Sequence, residues 1–531
     1  MRSAWSVWIG TAALGLGLTA CGQSASSSPP ADAGLPFDGG SRDALLDPET
    51  CGSCHPQHFQ DWVTSMHAKA ADDPVFLAMN ARGQRETGGK LGDFCVKCHA
   101  PLAVRDGLTK DGLNLAALPS KYHGVTCFFC HSIDSVDGGS NAAVGTATDL
   151  VMRGEIRDPG PNSVHRAAYS AFLDKDSPQS AAACGACHDI VVPPGLDDVG
   201  DAGDDGAAIE RTFAEWKASG FGNSADPITC GASSCHMVES AARQPIAETT
   251  GYQGVNPPRN RLFHGHDFAA IDVPLEAGTD AAAAESAGVQ ALLSNALQGD
   301  LCVTGRGGIR VVVDLPNIGH DFPSGAAQDR RLWAEVVAYK GGSVVYQSGV
   351  VPFGNPAFDA GADPDLWVMR DCIFDPQGAE VNMFWQAAGP TDDNGLTPQA
   401  SIDMTTPGSF NGGRVQSFPR SGMPLPSVPD RVTLKVWVQP VGSEVLADLV
   451  DSGDLDPSVA AAMPRFPVVI APPPNPGAAS DGTLEWTPQV AAGSGIMVPT
   501  DPTDESLWTC VGMLTTPPPN PPPPAHMKCS P

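Results

Sequence analysis

Residues 431–439, RVTLKVWVQ, alternate: Val432, Leu434, Val436 and Val438 fall on one face, between mostly polar neighbours. A period of two is the pattern of a half-buried strand. IRVVVDL, RLWAEVVAY and GSVVYQSGVV are further strand-like runs set between Gly- and Pro-rich turns. The chain from about residue 301 to 500 therefore predicts an all-β, sandwich-like domain of short strands. Just upstream, TDAAAAESAGVQALLSNALQGD reads as one helix, starting at Thr279 or Asp280 and closed by Gly299. This makes 271–300 a helical connector. Residues 46–270 sustain neither period for long and predict short helices among irregular segments. The expected fold class is α+β and multidomain, a mostly α or irregular domain followed by an all-β one.

The first twenty residues carry a different pattern. MRSAWSVWIGTAALGLGLTAC has one early arginine, an apolar run to Leu18 and small residues before Cys21. The run is too short for a mature membrane span and reads as an export signal. Leu18-Thr19-Ala20-Cys21 matches the bacterial lipobox, so residues 1–21 predict a lipoprotein signal peptide with lipidation at Cys21. Gly22, where an aspartate would signal inner-membrane retention, favours the outer membrane. The expected location is thus a membrane-anchored lipoprotein facing the periplasm or the cell surface. Residues 22–45 form a polar Ser/Pro/Gly linker, and 501–531, with PPPNPPPP, a stiff Pro-rich tail.

Composition narrows the partners. A length of 531 residues exceeds what one core holds, and a formal net charge of −29 makes nucleic acid a poor partner. The acidic, Gly-rich stretch 195–210 fails the EF-hand spacing and reads as a solvated loop.

Cysteine decides the chemistry. Of 15 cysteines, ten fall in five pairs, each followed by histidine. Four read C-x-x-C-H: Cys51/Cys54-His55, Cys95/Cys98-His99, Cys127/Cys130-His131 and Cys184/Cys187-His188. The fifth, Cys230/Cys235-His236, is two residues longer. Chance at this composition would give about 0.01 C-x-x-C-H motifs. Two thiols at this spacing can form thioethers to the vinyl groups of one porphyrin, with the adjacent histidine as proximal iron ligand. A zinc site would not require histidine after every second cysteine, and a thioredoxin-like dithiol would occur once. The expectation is five covalently bound haems c. The anchors span residues 51–236, about 37 residues each, too little chain to wrap each porphyrin separately. The porphyrins must pack together and serve as core for the 46–270 domain.

Eight histidines remain for the sixth ligands: His58, His67, His123, His165, His264, His266, His320 and His526. His67, in a helical stretch after the first anchor, can reach a neighbouring haem. His165 precedes the fourth anchor, and His123 stands four residues before Cys127. His264 and His266 are too close together for both to be ligands. His58 is the expected non-ligand of this region, and His526 lies in the Pro-rich tail. Cys302, Cys372, Cys510 and Cys529 are left for two disulfides whose pairing the sequence does not give.

The motifs CGSCHPQHFQDWVTSMHAKA, FCVKCHAPL, GVTCFFCHSI and CGACHDI, with TFAEWKASGF leading into CHM, resemble exported multihaem cytochromes of the hydroxylamine oxidoreductase and tetrahaem cytochrome c superfamily. The resemblance covers about 46–270. It implies a distal role for the Ser-x-His histidine, here His67, and favours His266 over His264. LPNIGHDFPSG followed by RRLW resembles the GH-x-x-P-T-G segment attached to many such cytochromes, which makes His320 a ligand reaching in from the β domain. The superfamily holds both carriers and enzymes. One function is an electron carrier between redox partner proteins, either other cytochromes or quinone-linked complexes. The alternative is a reductase or oxidase of a small nitrogen or sulfur oxyanion at one five-coordinate haem. No C-x-x-C-K anchor, as in nitrite reductases of that superfamily, is present. A third possibility gives the β domain a surface, mineral or partner protein to bind.

Overall fold

Each helix in the first half of the chain is short, because the sequence supplies its stop soon after its start. Helix α1 (Pro56–Thr64) opens on proline and ends where Ser65 turns extended. The Ser65 hydroxyl then caps the single turn Met66–Lys69, accepting from the Ala68 N–H. Helix α2 (Pro74–Glu86) is capped by Asp73, whose carboxylate accepts from the Phe76 N–H at 2.7 Å. Three of the cysteine pairs ride on shorter helices still, Val96–His99, Cys127–His131 and Pro178–Gly185. Helix α3 (Thr212–Ala218) precedes the fifth pair.

The structure is a computed structural model. It describes residues 41–158, 164–192, 208–250, 258–275, 279–352, 362–387, 395–399, 413–421, 425–494, 509–513 and 529. Cys21 with its signal segment, most of the 195–210 stretch, and His526 with most of the Pro-rich tail lie outside these residues. At 208–210 the solvated-loop reading does not hold, since Ala208–Glu210 pairs as a strand with Ile190–Val191.

Apolar side chains of the first half gather in small clusters. Leu45, Leu46, Leu102, Phe128, Phe129 and Ile133 form one, and Ala71, Phe76, Val96, Ala100, Ala103 and Leu115 another. Helix α4 (Asp280–Leu293) follows, with Thr279 as its N-cap accepting from the Ala282 N–H at 3.2 Å. It stops at Leu293, short of Gly299. Gly299 instead lies in a strand, where a Cβ would meet the Val312 carbonyl oxygen at 2.4 Å. Close strand approach, not helix termination, requires the glycine there.

Among the described residues, and with the short pair Ile373–Phe374 and Glu380–Val381 standing apart, ten of the strands that follow build the two main sheets: β1 (Gln298–Val303), β2 (Ile309–Asp314), β3 (Arg331–Lys340), β4 (Ser343–Ser348), β5 (Trp367–Met369), β6 (Arg414–Phe418), β7 (Arg431–Gln439), β8 (Phe466–Val468), β9 (Leu484–Trp486) and β10 (Thr509–Gly512). They form two antiparallel sheets, ordered β6-β2-β1-β10 and β4-β3-β7-β8, with β5 beside β3 and β9 beside β7. The alternating Val432, Leu434, Val436 and Val438 are buried against Ala338, Val336, Ala334 and Leu332 of β3, in a core shared with Leu301, Ile309 and Val311 of the other sheet. Burying one such Val or Leu side chain contributes about 1.5–3 kcal/mol. The opposite face of β3 and β7 is covered too. Trp333 lies in register with Trp437, their rings 6.3 Å apart, against Leu366 and Val368.

The two halves adhere across the expected boundary. Val75 and Ala78 of α2 share a cluster with Met383, Trp385, Val445 and Leu446, and Leu91, Phe94 and Ile209 share one with Ile373 and Ala387. Residues 38–531 accordingly cluster as one compact unit. The four remaining cysteines form Cys302–Cys510, across the β1–β10 pair, and Cys372–Cys529. The first bond closes a separation of 208 residues.

Cross-links over such long loops stabilise chiefly by restricting the unfolded chain. The paired substitution Cys302→Ala with Cys510→Ala is expected to lower unfolding stability by about 2–5 kcal/mol. Guanidinium denaturation of the oxidised protein checks this, and an unchanged midpoint would show that the β1–β10 bond carries no stability.

Candidate metal centres

The cysteine pairs share one backbone device. The N–H of the motif histidine returns to the carbonyl of the first cysteine: His55 to Cys51 at 2.7 Å, His99 to Cys95 at 3.3 Å and His188 to Cys184 at 3.1 Å. In the longer fifth motif His236 still donates to Cys230, at 3.1 Å, while a Cys235-to-Ala232 bond loops out the two extra residues. The fifth motif therefore presents its thiols and imidazole on the same closed turn as the others.

None of the ten motif cysteines is in a disulfide. Their exposure is not uniform, and Cys54 departs from what the motif predicts. A thiol that is to meet a vinyl group should be accessible, yet Cys54 is buried, 8% exposed, while the other nine are partly or fully exposed. The cause is a remote segment laid over the first motif. The Glu248 N–H donates to Cys54 O at 2.7 Å, and Ile246 O meets the adjoining His55 ring. The Ser53 hydroxyl covers the sulfur from the other side, at 3.9 Å. A thioether sulfur is apolar and suits such a covered position.

Folding brings motifs that are distant in sequence into contact. Cys51 lies beside Cys127, Cys98 beside Cys187 and Cys184 beside Cys230, and Cys130 is close to Cys184 and Cys187. The first motif thus adjoins the third, and the fourth adjoins the second, third and fifth. Part of this adjacency hangs on Gly124, at φ +72°, where a Cβ would lie 2.5 Å from the His67 carbonyl oxygen. That close approach lets the Val125 N–H bond His67 O at 2.8 Å and the Trp62 indole bond Val125 O at 2.8 Å.

Four motif histidines face a second imidazole. Ring centroids lie 6.3 Å apart for His55 and His165, 6.2 Å for His188 and His67, 6.4 Å for His131 and His266, and 6.3 Å for His236 and His320. Two imidazoles bonded to one metal from opposite sides, through bonds of about 2 Å, set their centroids about 6.3 Å apart. The other ring nitrogen is engaged as a metal ligand's should be. Nδ1 of His55 meets Ile246 O at 2.8 Å, that of His236 meets Ala269 O at 2.9 Å, that of His266 meets His264 O at 2.8 Å and that of His320 meets Asp321 O at 2.7 Å. His131 likewise meets Arg153 O at 2.5 Å. Each contact makes Nδ1 the proton donor and leaves Nε2 with its lone pair. Burial reinforces this, pushing His67 down to about 3 and His266 and His320 down to about 4, so these rings are neutral.

The remaining histidines are placed otherwise. His99 has the same Nδ1 contact, to Ala70 O at 2.8 Å, but the ring stacked on it at 3.9 Å is Phe76. Among the described residues no second histidine faces it. His123, expected as a distal ligand, has both nitrogens bound to protein: Nδ1 to Asp72 at 2.8 Å, and Nε2 to Leu115 O and Leu118 O at 3.1 and 3.2 Å. That arrangement leaves it no free lone pair for a metal. His264 turns Nε2 toward Glu155 at 3.3 Å and Glu239 at 3.7 Å. His58 packs between His55 and His266 at 5.6 and 4.8 Å, too near the latter for an iron between them.

Residues 50–132 match the family model described as cytochrome c554 and c-prime. Among solved structures the chain is similar to a penta-haem cytochrome c552 from Thermochromatium tepidum. That likeness has a TM-score of 0.52 and 20% identity, over 85% of this chain and 100% of that one. No curated protein matches. Together with the four C-x-x-C-H motifs, the family match supports a multihaem c-type cytochrome. At 20% identity, the solved structure bears on the fold alone.

The β region is tied to the segment that precedes the fifth motif. The loop 318–325, which carries His320, is clasped onto α3. Glu215 accepts from the Asp321 N–H at 3.1 Å and the Ser324 hydroxyl at 2.6 Å, and Thr212 Oγ1 accepts from the Gly325 N–H at 3.0 Å. The sequence points to His320, and the residues that hold its loop, Thr212 and Glu215, lie in the TFAEWKASGF stretch, although nothing in that stretch announces the contact. Removing the carboxylate in Glu215→Ala is expected to loosen the loop by about 1–3 kcal/mol. Hydrogen exchange at the Asp321 amide should accelerate, whereas unchanged exchange would show that Glu215 does not hold the loop.

Proposed function

We propose that this chain is an exported carrier of electrons, built on five closely spaced c-type haems and passing electrons between redox partner proteins, either other cytochromes or quinone-linked complexes. The observation that carries the reading is the set of four imidazole pairs at 6.2–6.4 Å. The residues fit the group. Cys51/Cys54, Cys95/Cys98, Cys127/Cys130, Cys184/Cys187 and Cys230/Cys235 would hold it through thioethers. His55 with His165, His131 with His266, His188 with His67, and His236 with His320 would be axial, and His99 would be the proximal ligand of the second motif. Haem c supplies reversible one-electron exchange at iron.

The protein's own part is positional. Carbonyl oxygens of Ile246, Arg153 and Ala269 fix the ring planes, and the small apolar clusters of the first half leave room for porphyrins as core. Contacts among the cysteine motifs bring neighbouring centres close. Residues 1–21 support export and lipid attachment at Cys21, with the outer membrane favoured, in the oxidising space where c-type haems are attached and disulfides persist.

One observation favours a second reading. His99 faces no second histidine among the described residues, so the haem on Cys95 and Cys98 could bind a small nitrogen or sulfur oxyanion at its open position. That would make the chain a reductase or oxidase. Pyridine haemochrome analysis is expected to count five haems. In His320→Ala about one-fifth of the low-spin signal should be lost with all five haems still attached; an unaltered spectrum would sink the His236–His320 pairing. In the parent protein, a high-spin fraction that shifts with nitrite, hydroxylamine or a sulfur oxyanion would install the enzyme reading. Spectra inert to all three would leave the carrier.

A further inference from the structure

The five motif histidines differ in what their Nδ1–H meets. His55, His99, His131 and His236 each meet a backbone carbonyl, of Ile246, Ala70, Arg153 and Ala269. His188 alone meets a carboxylate, Glu210 Oε1, at 3.2 Å. Glu210 closes the small strand Ala208–Glu210, paired with Ile190–Val191 directly after the fourth motif, so the contact is built by local pairing rather than by a flexible side chain reaching across the surface. Its side chain is only 15% exposed.

A carbonyl and a carboxylate act differently on a metal-bound imidazole. The carboxylate draws the Nδ1 proton more strongly, gives the ring imidazolate character and raises its basicity as a ligand. A more basic ligand and a nearby negative charge both favour Fe(III) over Fe(II), because reduction adds one electron to the centre. The nearby cations must be weighed against this. Arg330 Nη2 and Glu210 Oε1 both border Gly325, within 3.5 and 3.9 Å of where its Cβ would stand. Arg330, however, is taken by Asp272 in a two-pronged ion pair, with Nη2 to Oδ2 at 2.6 Å, and by Pro440 O at 2.8 Å. Arg211 is paired with Asp189 at 3.1 Å. Both cations are paired with other carboxylates. Arg330 also feels the Glu210 charge, and that charge reaches His99 and Cys98, but of these groups only His188 donates a hydrogen bond to it.

We infer that Glu210 is a positioning and tuning residue that holds the His188 ring through Nδ1 and lowers the reduction potential of the haem anchored at Cys184 and Cys187. The placement gives the tuning reach. The fourth motif is the one that adjoins the second, third and fifth, so its potential sets the driving force of every step across that junction. The inference rests on the five-haem reading above, and its test separates the two.

Spectropotentiometry of Glu210→Gln, with the haem count taken first, reads the effect directly. With five haems present, the transition of the haem at Cys184 and Cys187 should move furthest to higher potential, ahead of that of its neighbour at Cys95 and Cys98, and the EPR signal of a single low-spin haem should shift with it. Five haems and five unmoved potentials would overturn the role of Glu210 and leave the carrier reading intact. A parent protein with fewer than five haems would instead overturn the reading on which this rests. Should Glu210→Gln assemble incompletely, Glu210→Asp decides. Its carboxylate is withdrawn from the ring by one methylene, so the same transition should rise by a smaller amount, and an unmoved transition in that fully loaded variant would equally overturn the inference.

Discussion

The span between paired imidazoles is the constraint on which the rest of the structure depends. Two rings must face each other with centroids about 6.3 Å apart, Nε2 bare and Nδ1 tied down. No local structure supplies both rings, since the partners are never neighbours in sequence: His55 meets His165, and His131 meets His266. Each pair therefore forces two remote segments into fixed register. The short capped helices are the means. Ser65 ends one helix and begins the turn carrying His67, and a left-handed Gly124 lets the segment before the third motif lie on that turn.

Burial makes these rings usable. An imidazole that took up a proton could not offer Nε2 to iron. Desolvation depresses His67, His266 and His320 far below the ordinary histidine range, so they stay neutral across physiological pH. His188 runs the other way. Burial lowers it, but the Glu210 hydrogen bond and charge outweigh this and raise it.

How much of this was legible in the sequence follows from how local each signal is. A C-x-x-C-H motif is five residues long, and its closed turn is formed from within, so the cysteines and proximal histidines read directly. What covers a motif does not: Cys54 is buried because Glu248, almost two hundred positions away, bonds its carbonyl, and nothing in CGSCH announces that. Strand alternation in RVTLKVWVQ is local and matches the buried face of β7. The distal partners are not local. His123, adjacent to a motif, looked as well placed as His165, yet Asp72 and two carbonyls hold it while His165 reaches His55. Position along the chain says nothing of which ring nitrogen is free. Gly299 misled for a related reason: a glycine after a helical run reads as a cap, while the demand on it came from a strand in another part of the fold.

The β region is then part of the cofactor scaffold rather than an appendage. Its loop delivers His320 opposite His236 and is bound to α3 by Glu215 and Thr212. Its Arg330 holds Asp272, in the connection between the halves that also carries Ala269, the acceptor for His236. A sheet core that buries Val432, Leu434, Val436 and Val438 is stiff, and stiffness is what a ligand supplied from outside the anchor segment requires. A disulfide across β1 and β10 adds to that stiffness without touching the loop. The cysteine-rich half supplies no imidazole opposite His236 among the described residues, because His67 and His266 face other motif histidines. The ring that faces His236 comes instead from the body packed against that half, and the two clusters that join the halves keep that body in place.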